Sequence, residues 1–206
     1  MSKKDSAFFI GLWTIVNTLA VVLLSYGIIL VLGLLNALFG IIPFIDSFSY
    51  SPSAVFLPLF LAIIFGWILG KGQYFVLKEY ITQVKIPHWK RATLAGCLLG
   101  SIIGIIVGIQ FPEFGVPFTI TLGTIIGLFQ WFILRSQIAK AEWWIVANAL
   151  GWGIGYSKIM TDAIVLGRES SISSIVLAGF LFGLITGLTL IGLLLYTGQK
   201  RAVAAS

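Results

Sequence analysis

A chain of 206 residues that is 59% hydrophobic and only 10% charged is too apolar for a water-soluble domain, since such domains carry about 25% charged residues. Its single cysteine excludes an internal disulfide and any metal site built on paired cysteines. The net charge of +6 is scattered through short loops. There is no basic helix or aromatic–basic surface of the kind nucleic acid needs, so no nucleic-acid partner is expected.

Apolar runs of about 20 residues cross a bilayer core as helices, and their lack of polar alternation argues against barrel strands. Six spans are expected in chain order, near 9–30, 55–77, 89–109, 117–135, 143–165 and 173–196. The first follows Lys3 and Lys4 and is too long for a signal-peptide core, so it reads as a retained span. The apolar stretch then continues to Ile45, well beyond what one crossing needs, which predicts an extra interfacial or re-entrant helix near 31–42. Phe39, Phe44, Phe48 and Tyr50 would then lie at the outer surface. They read as interfacial anchors or, more sharply, as a partner surface for another membrane protein.

The second span carries Gly66, Gly70, Lys71 and Gln73. Lys71 is an intramembrane charge and by default a functional candidate, as a gate, an ion-path residue or a lipid-phosphate contact. Snorkelling of its ammonium to the nearby head groups is the favoured reading. His88, alone in a basic loop, reads as a solvated residue, because a haem held between helices normally needs more such ligands. In the fifth span Lys158 and Asp162 stand four apart on one helix face. They form an outer-face pair that either eases the helix end into the interface, the favoured reading, or lines an outer vestibule for a cation or polar solute with Asp162 as ligand.

The spans repeat. Trp13-x3-Asn17, Trp89-x3-Thr93 and Trp144-x3-Asn148 mark alternate helices, and Gly66-x3-Gly70-x2-Gln73, Gly123-x3-Gly127-x2-Gln130 and Gly183-x3-Gly187-x2-Leu190 mark the helices between them. One polytopic domain over 1–206 is therefore expected, an all-α integral membrane protein of six transmembrane helices built as three hairpin copies, about 9–77, 89–135 and 143–196. Glycines four apart let helices approach closely in lipid. Asn17, Gln73, Thr93, Gln130 and Asn148 fall at matched depth, where they either hydrogen-bond between helices or line a solute path; interhelical bonding is the favoured reading. Lysines and arginines concentrate on the side holding both termini and the second and fourth loops, which puts both termini in the cytoplasm.

The string Gly127-Leu-Phe-Gln130-Trp131-Phe-Ile-Leu134-Arg135, followed by Trp144-x3-Asn148-x2-Gly151, resembles a motif of uncharacterised small multi-pass membrane proteins of cyanobacteria. Gly70-x2-Gln73-Tyr74-Phe75-Val76-Leu77-Lys78 is a second, less perfect copy. The resemblance covers roughly 66–155 and implies a bacterial plasma membrane or a thylakoid membrane, with no catalytic residues. Mitochondrial carriers also use three two-helix repeats, but their Pro-x-[Asp/Glu]-x-x-[Lys/Arg] signature is missing from the odd-numbered spans.

No nucleophile–base–acid set, phosphate loop or His/Glu metal cluster is evident, so no enzyme is expected. No encoded metal or nucleotide signature specifies a cofactor; chlorophyll, carotenoid or lipid would suit the abundant aromatics. The expectation is a non-enzymatic structural or accessory subunit of a larger membrane complex, photosynthetic or respiratory, in contact with lipid and other membrane proteins. The alternatives are a small channel or transporter for an ion or polar solute, and a pigment- or lipid-binding protein.

Overall fold

The structure, a computed structural model, describes residues 3–39, 56–80, 86, 88–111, 113–160 and 171–205. Among them every regular element is a helix: α1 (Lys3–Phe39), α2 (Phe56–Tyr80), α3 (Trp89–Gly108), α4 (Gly115–Leu134), α5 (Trp143–Met160) and α6 (Ile172–Ala205). Five of these are long and apolar enough to cross a membrane, over Asp5–Leu23, Leu59–Glu79, Trp89–Gly108, Gly115–Leu134 and Ile172–Lys200. The chain is thus multi-pass in character. Helix α5 is the exception, because its 18 residues include Asn148, Tyr156, Ser157 and Lys158.

The extra helix expected near 31–42 does not form over residues 31–39. Those residues continue α1, a single helix of 37 residues, which is about 55 Å long against a hydrocarbon core of about 30 Å. The physical reason is local, since the run to Phe39 contains no proline and is dominated by Leu, Ile and Val, with nothing to break the backbone ladder.

Each helix packs on its neighbours in chain order, and α6 closes the ring against α1. Close approach through glycine makes five of the six seams. A Cβ on Gly66 would meet the Leu94 backbone at 2.9 Å, one on Gly96 the Ile126 backbone at 2.8 Å, and one on Gly183 the Thr14 backbone at 2.7 Å. Gly123 and Gly127 meet α5 in the same way, and Gly155 meets Ala178 of α6. The α1–α2 seam has only Gly72, set against the flexible tip of Val16.

The interior has two apolar layers. One holds Phe9, Trp13, Trp89, Leu134, Ile138, Trp144 and Leu190. It lies at the end where Lys78, Lys90, Arg91, Arg135, Lys140 and Lys200 are exposed, called here the basic end. The other holds Phe65, Leu69, Cys97, Ile126, Trp152, Tyr156 and Phe182. The short 135–142 connection seals the basic end, with Ile138 and Ala141 buried and the Ala139 backbone N–H donating to Thr197 Oγ1 of α6 at 3.0 Å.

Candidate functional site: a polar layer inside the ring

Between the two apolar layers lies a layer of uncharged polar side chains. Trp13, Trp89 and Trp144 are fully buried, with ring centroids 6.1 Å apart for Trp13–Trp144 and 6.0 Å for Trp89–Trp144. A buried indole N–H left without an acceptor costs about 1–3 kcal/mol, and each of the three has one. Trp89 Nε1 donates to Gln73 Oε1 at 3.1 Å, and Trp144 Nε1 to Gln130 Oε1 at 2.9 Å. The glutamine amides continue the chain. Gln73 Nε2 donates to Asn17 Oδ1 at 2.9 Å, and Gln130 Nε2 donates to Gln73 Oε1 at 3.0 Å and to Thr93 Oγ1 at 2.8 Å.

The tryptophan helices supply their own anchoring. Asn17 Nδ2, Thr93 Oγ1 and Asn148 Nδ2 donate to the carbonyls of Trp13, Trp89 and Trp144, one turn earlier, at 2.7, 3.0 and 2.9 Å. Such bonds fix the side chains against their own helices, so their remaining polar atoms face the axis. Of the five polar residues singled out in the sequence, Asn17, Gln73, Thr93 and Gln130 join one network. Asn148 stays outside it, bonded only to its own helix, and its Oδ1 is buried without a partner.

In the third glycine ladder the acceptor is a residue the sequence pattern does not single out. Leu190, fully buried, stands where the ladder pattern puts a glutamine. Trp13 Nε1 donates instead to Thr186 Oγ1 at 3.0 Å, and Thr186 in turn donates to the Phe182 carbonyl at 2.7 Å. The ladder register aligns Thr186 with Leu69 and Ile126, one helical turn from the glutamine position. Polar and apolar residues have exchanged places in that ladder, and this exchange is the signal that could have found it.

Four polar side-chain atoms among the described residues are buried without hydrogen-bond partners: Thr14 Oγ1 of α1 and, on successive turns of α5, Asn148 Oδ1, Trp152 Nε1 and Tyr156 OH. The Trp152 ring stacks on Tyr156 at 4.4 Å and meets Phe65 at 5.4 Å and Phe182 at 5.2 Å. Trp152 and Tyr156 lie in the far apolar layer, beyond the amide network, whereas Asn148 stands at the depth of the network. The indole N–H can only donate, the amide oxygen can only accept, and the tyrosine hydroxyl can do both.

Lys71 lies apart from the polar layer. It is exposed on the outside of the ring, and its ammonium lies 3.8 Å from the centroid of the Trp67 ring. Helical side chains lean toward the helix N-terminus, and α2 runs toward the basic end, so Lys71 leans away from the basic end. Lysine at the centre of a span costs about 2.5–3.5 kcal/mol, and a cation–π contact returns about 0.5–2 kcal/mol. The contact with Trp67 therefore leaves part of that cost uncompensated. Among the described residues no carboxylate pairs with Lys71.

His88 is exposed at the start of α3, where its carbonyl accepts the Ala92 N–H at 2.9 Å. Lys158 lies in α5, but its side chain is outside the described residues, as is all of Asp162. Phe39 ends α1 with its side chain likewise outside them, and Phe44, Phe48 and Tyr50 fall outside entirely. Among the described residues no three His, Cys, Asp or Glu side chains come together to hold a metal. Comparison with protein-family models, curated proteins and solved structures finds no match to this chain.

Proposed function

We propose that this chain is a non-enzymatic structural or accessory subunit of a larger membrane protein complex. One observation carries the reading. The interior is occupied largely by the chain's own bonding, while among the described residues the one charge more than two turns from a helix end points outward from the ring. Fully buried Trp13, Trp89 and Trp144 cross the axis at the basic end, and the amides behind them bond to one another. Such an interior holds the helices together and leaves the outside for contacts.

The same reading takes the six helices as three hairpin copies of one unit, with α5 as a sixth span and both termini cytoplasmic. It takes the membrane as a bacterial plasma membrane or a thylakoid membrane, following the resemblance to small cyanobacterial multi-pass proteins. Exposure of basic side chains at one end supports that orientation. A second reading, a small channel or transporter for an ion or polar solute, is favoured by the unpartnered Asn148 Oδ1, Trp152 Nε1 and Tyr156 OH. Those groups would receive a polar guest entering from the far end.

Gentle solubilisation with a C-terminal affinity tag separates the readings. The subunit reading expects a large particle on a native gel with stoichiometric co-purifying proteins. A colourless particle of this chain alone overturns it and directs the work to liposome flux. Visible absorbance that follows the protein would instead identify a bound pigment.

A further inference from the structure

Lys71 occupies the middle of the outer face of α2. On one side of it Gly70 abuts the α3 backbone, where an added Cβ would lie 3.2 Å from Lys90 Cα. On the other side Gly72 abuts Val16 of α1, and Gln73 turns inward to bond Asn17. Lys71 therefore has its own ring of helices behind it and apolar surface around it. Phe60, Trp67 and Phe75 along the same stripe are 59%, 54% and 65% exposed. The Trp67–Lys78 segment of α2 rises about 16 Å, so the ammonium over Trp67 lies far below the level of Lys78.

That depth decides which anion fits. A lipid phosphate resides at the head-group level and would have to descend through hydrocarbon to meet the cation. A carboxylate on another spanning helix is held at such a depth by its own backbone, and buried charges in membranes pair in this way. Among the described apolar windows a second copy of this chain does not offer one, because Asp5 and Glu79, the acidic residues there, stand at the window ends, and Asp162 falls only three residues from the outer end of the expected fifth span. We propose that the outer face of α2 docks a transmembrane helix of a different protein. That helix carries an Asp or Glu opposite Lys71, and Phe60, Trp67 and Phe75 form the surrounding contact. The inference rests on the subunit reading and names the chemistry of the partner.

Two measurements on the full chain test it separately from that reading. In the first, the protein is reconstituted in phosphatidylcholine vesicles with a labelled polyleucine single-span peptide. The peptide bears one glutamate at the depth of Trp67, and a control peptide bears glutamine there. Energy transfer should show the glutamate peptide binding about tenfold more tightly, the upper range for a polar contact between spans. The preference should vanish in Lys71→Leu and persist in Lys71→Arg, with thermal unfolding of both variants unchanged. Equal binding of the two peptides overturns the docking site. So does Lys71-dependent displacement of the peptide by phosphatidylglycerol, which would make the site one for a lipid phosphate.

In the second measurement, tagged wild type and Lys71→Leu are purified side by side from native membranes. Loss of a wild-type partner in the variant supports the site, and full retention of that partner overturns it while leaving the subunit reading standing. A wild-type chain that purifies alone yet binds the glutamate peptide through Lys71 supports the site and overturns the subunit reading.

Discussion

The two halves of the interior are built from the same helices and treat their tryptophan N–H groups in opposite ways. Toward the basic end, each buried tryptophan N–H finds an acceptor, and the glutamine amides bridge between helices. In the far half, Trp152 and Tyr156 are packed as tightly among aromatics, yet their donors find none. The difference lies in the facing residues. Trp144 faces Gln130, whereas the side chains around Trp152 and Tyr156 are Phe65 and Phe182. Burial alone therefore does not make a lock; a partner of the right chemistry one helix away does.

The largest expected effect comes from the spacing both halves share. Gly123→Leu would drive a Cβ to 2.5 Å from the Asn148 carbonyl oxygen and 2.8 Å from Trp152 Cβ. Neither atom can retreat without moving a helix, so thermal unfolding in detergent should show a loss at the upper end of overpacking costs, about 3 kcal/mol or more. Gly192→Leu, with nothing within 4 Å of its Cβ, should be near neutral. Equal effects would mean that the α4–α5 seam is looser than described.

The next pair sharpens the comparison directly. Trp144→Phe removes the donor to Gln130 and leaves a buried amide oxygen unpaired, which should cost about 1–3 kcal/mol. Trp152→Phe leaves a similar cavity but removes a donor that has no acceptor, so it should cost less than Trp144→Phe by about that amount. Urea or thermal unfolding of the two variants gives the answer. Equal costs would show that the far group is bonded in the membrane, which favours the solute-site reading.

The smallest effect concerns the irregular ladder. Thr186→Leu should destabilise by about 0.6 kcal/mol and at most about 1.7 kcal/mol, the range for polar contacts between spans. Adding Leu190→Gln to it should restore most of the loss, by giving Trp13 the acceptor that Trp89 and Trp144 have. Failure of the double variant to recover would show that a glutamine at position 190 does not reach the Trp13 N–H.

Much of this is legible along the chain. The helix limits follow from apolar runs interrupted at His88, at Glu113 and between Arg135 and Glu142. The glycine ladders mark which faces meet, because residues without Cβ recurring at each turn let two backbones approach closely. Less legible is the bonding within the polar layer. Thr186 sits one turn from the expected position, and spacing alone does not say whether Leu190 or Thr186 faces Trp13. The lean of Lys71 toward Trp67 is open to sequence reasoning, since the Cβ direction and the four-residue spacing both favour it. The absence of partners around Trp152 is not legible at all, because it depends on which side chains of α2 and α6 cross the axis.

Closure of the ring also sets a timetable. The tight, glycine-lined seam of α1 is with α6, and the Trp13–Thr186 bond joins residues 173 apart in sequence. At about 5–20 residues per second, the ribosome takes roughly 9–35 s to make that stretch. Throughout that interval the first helix must remain in the membrane without its best neighbour, held only by its looser contact with α2. The last helix made is thus the one that completes the structure of the first, and truncation anywhere before α6 leaves an open arc with Trp13 unsatisfied.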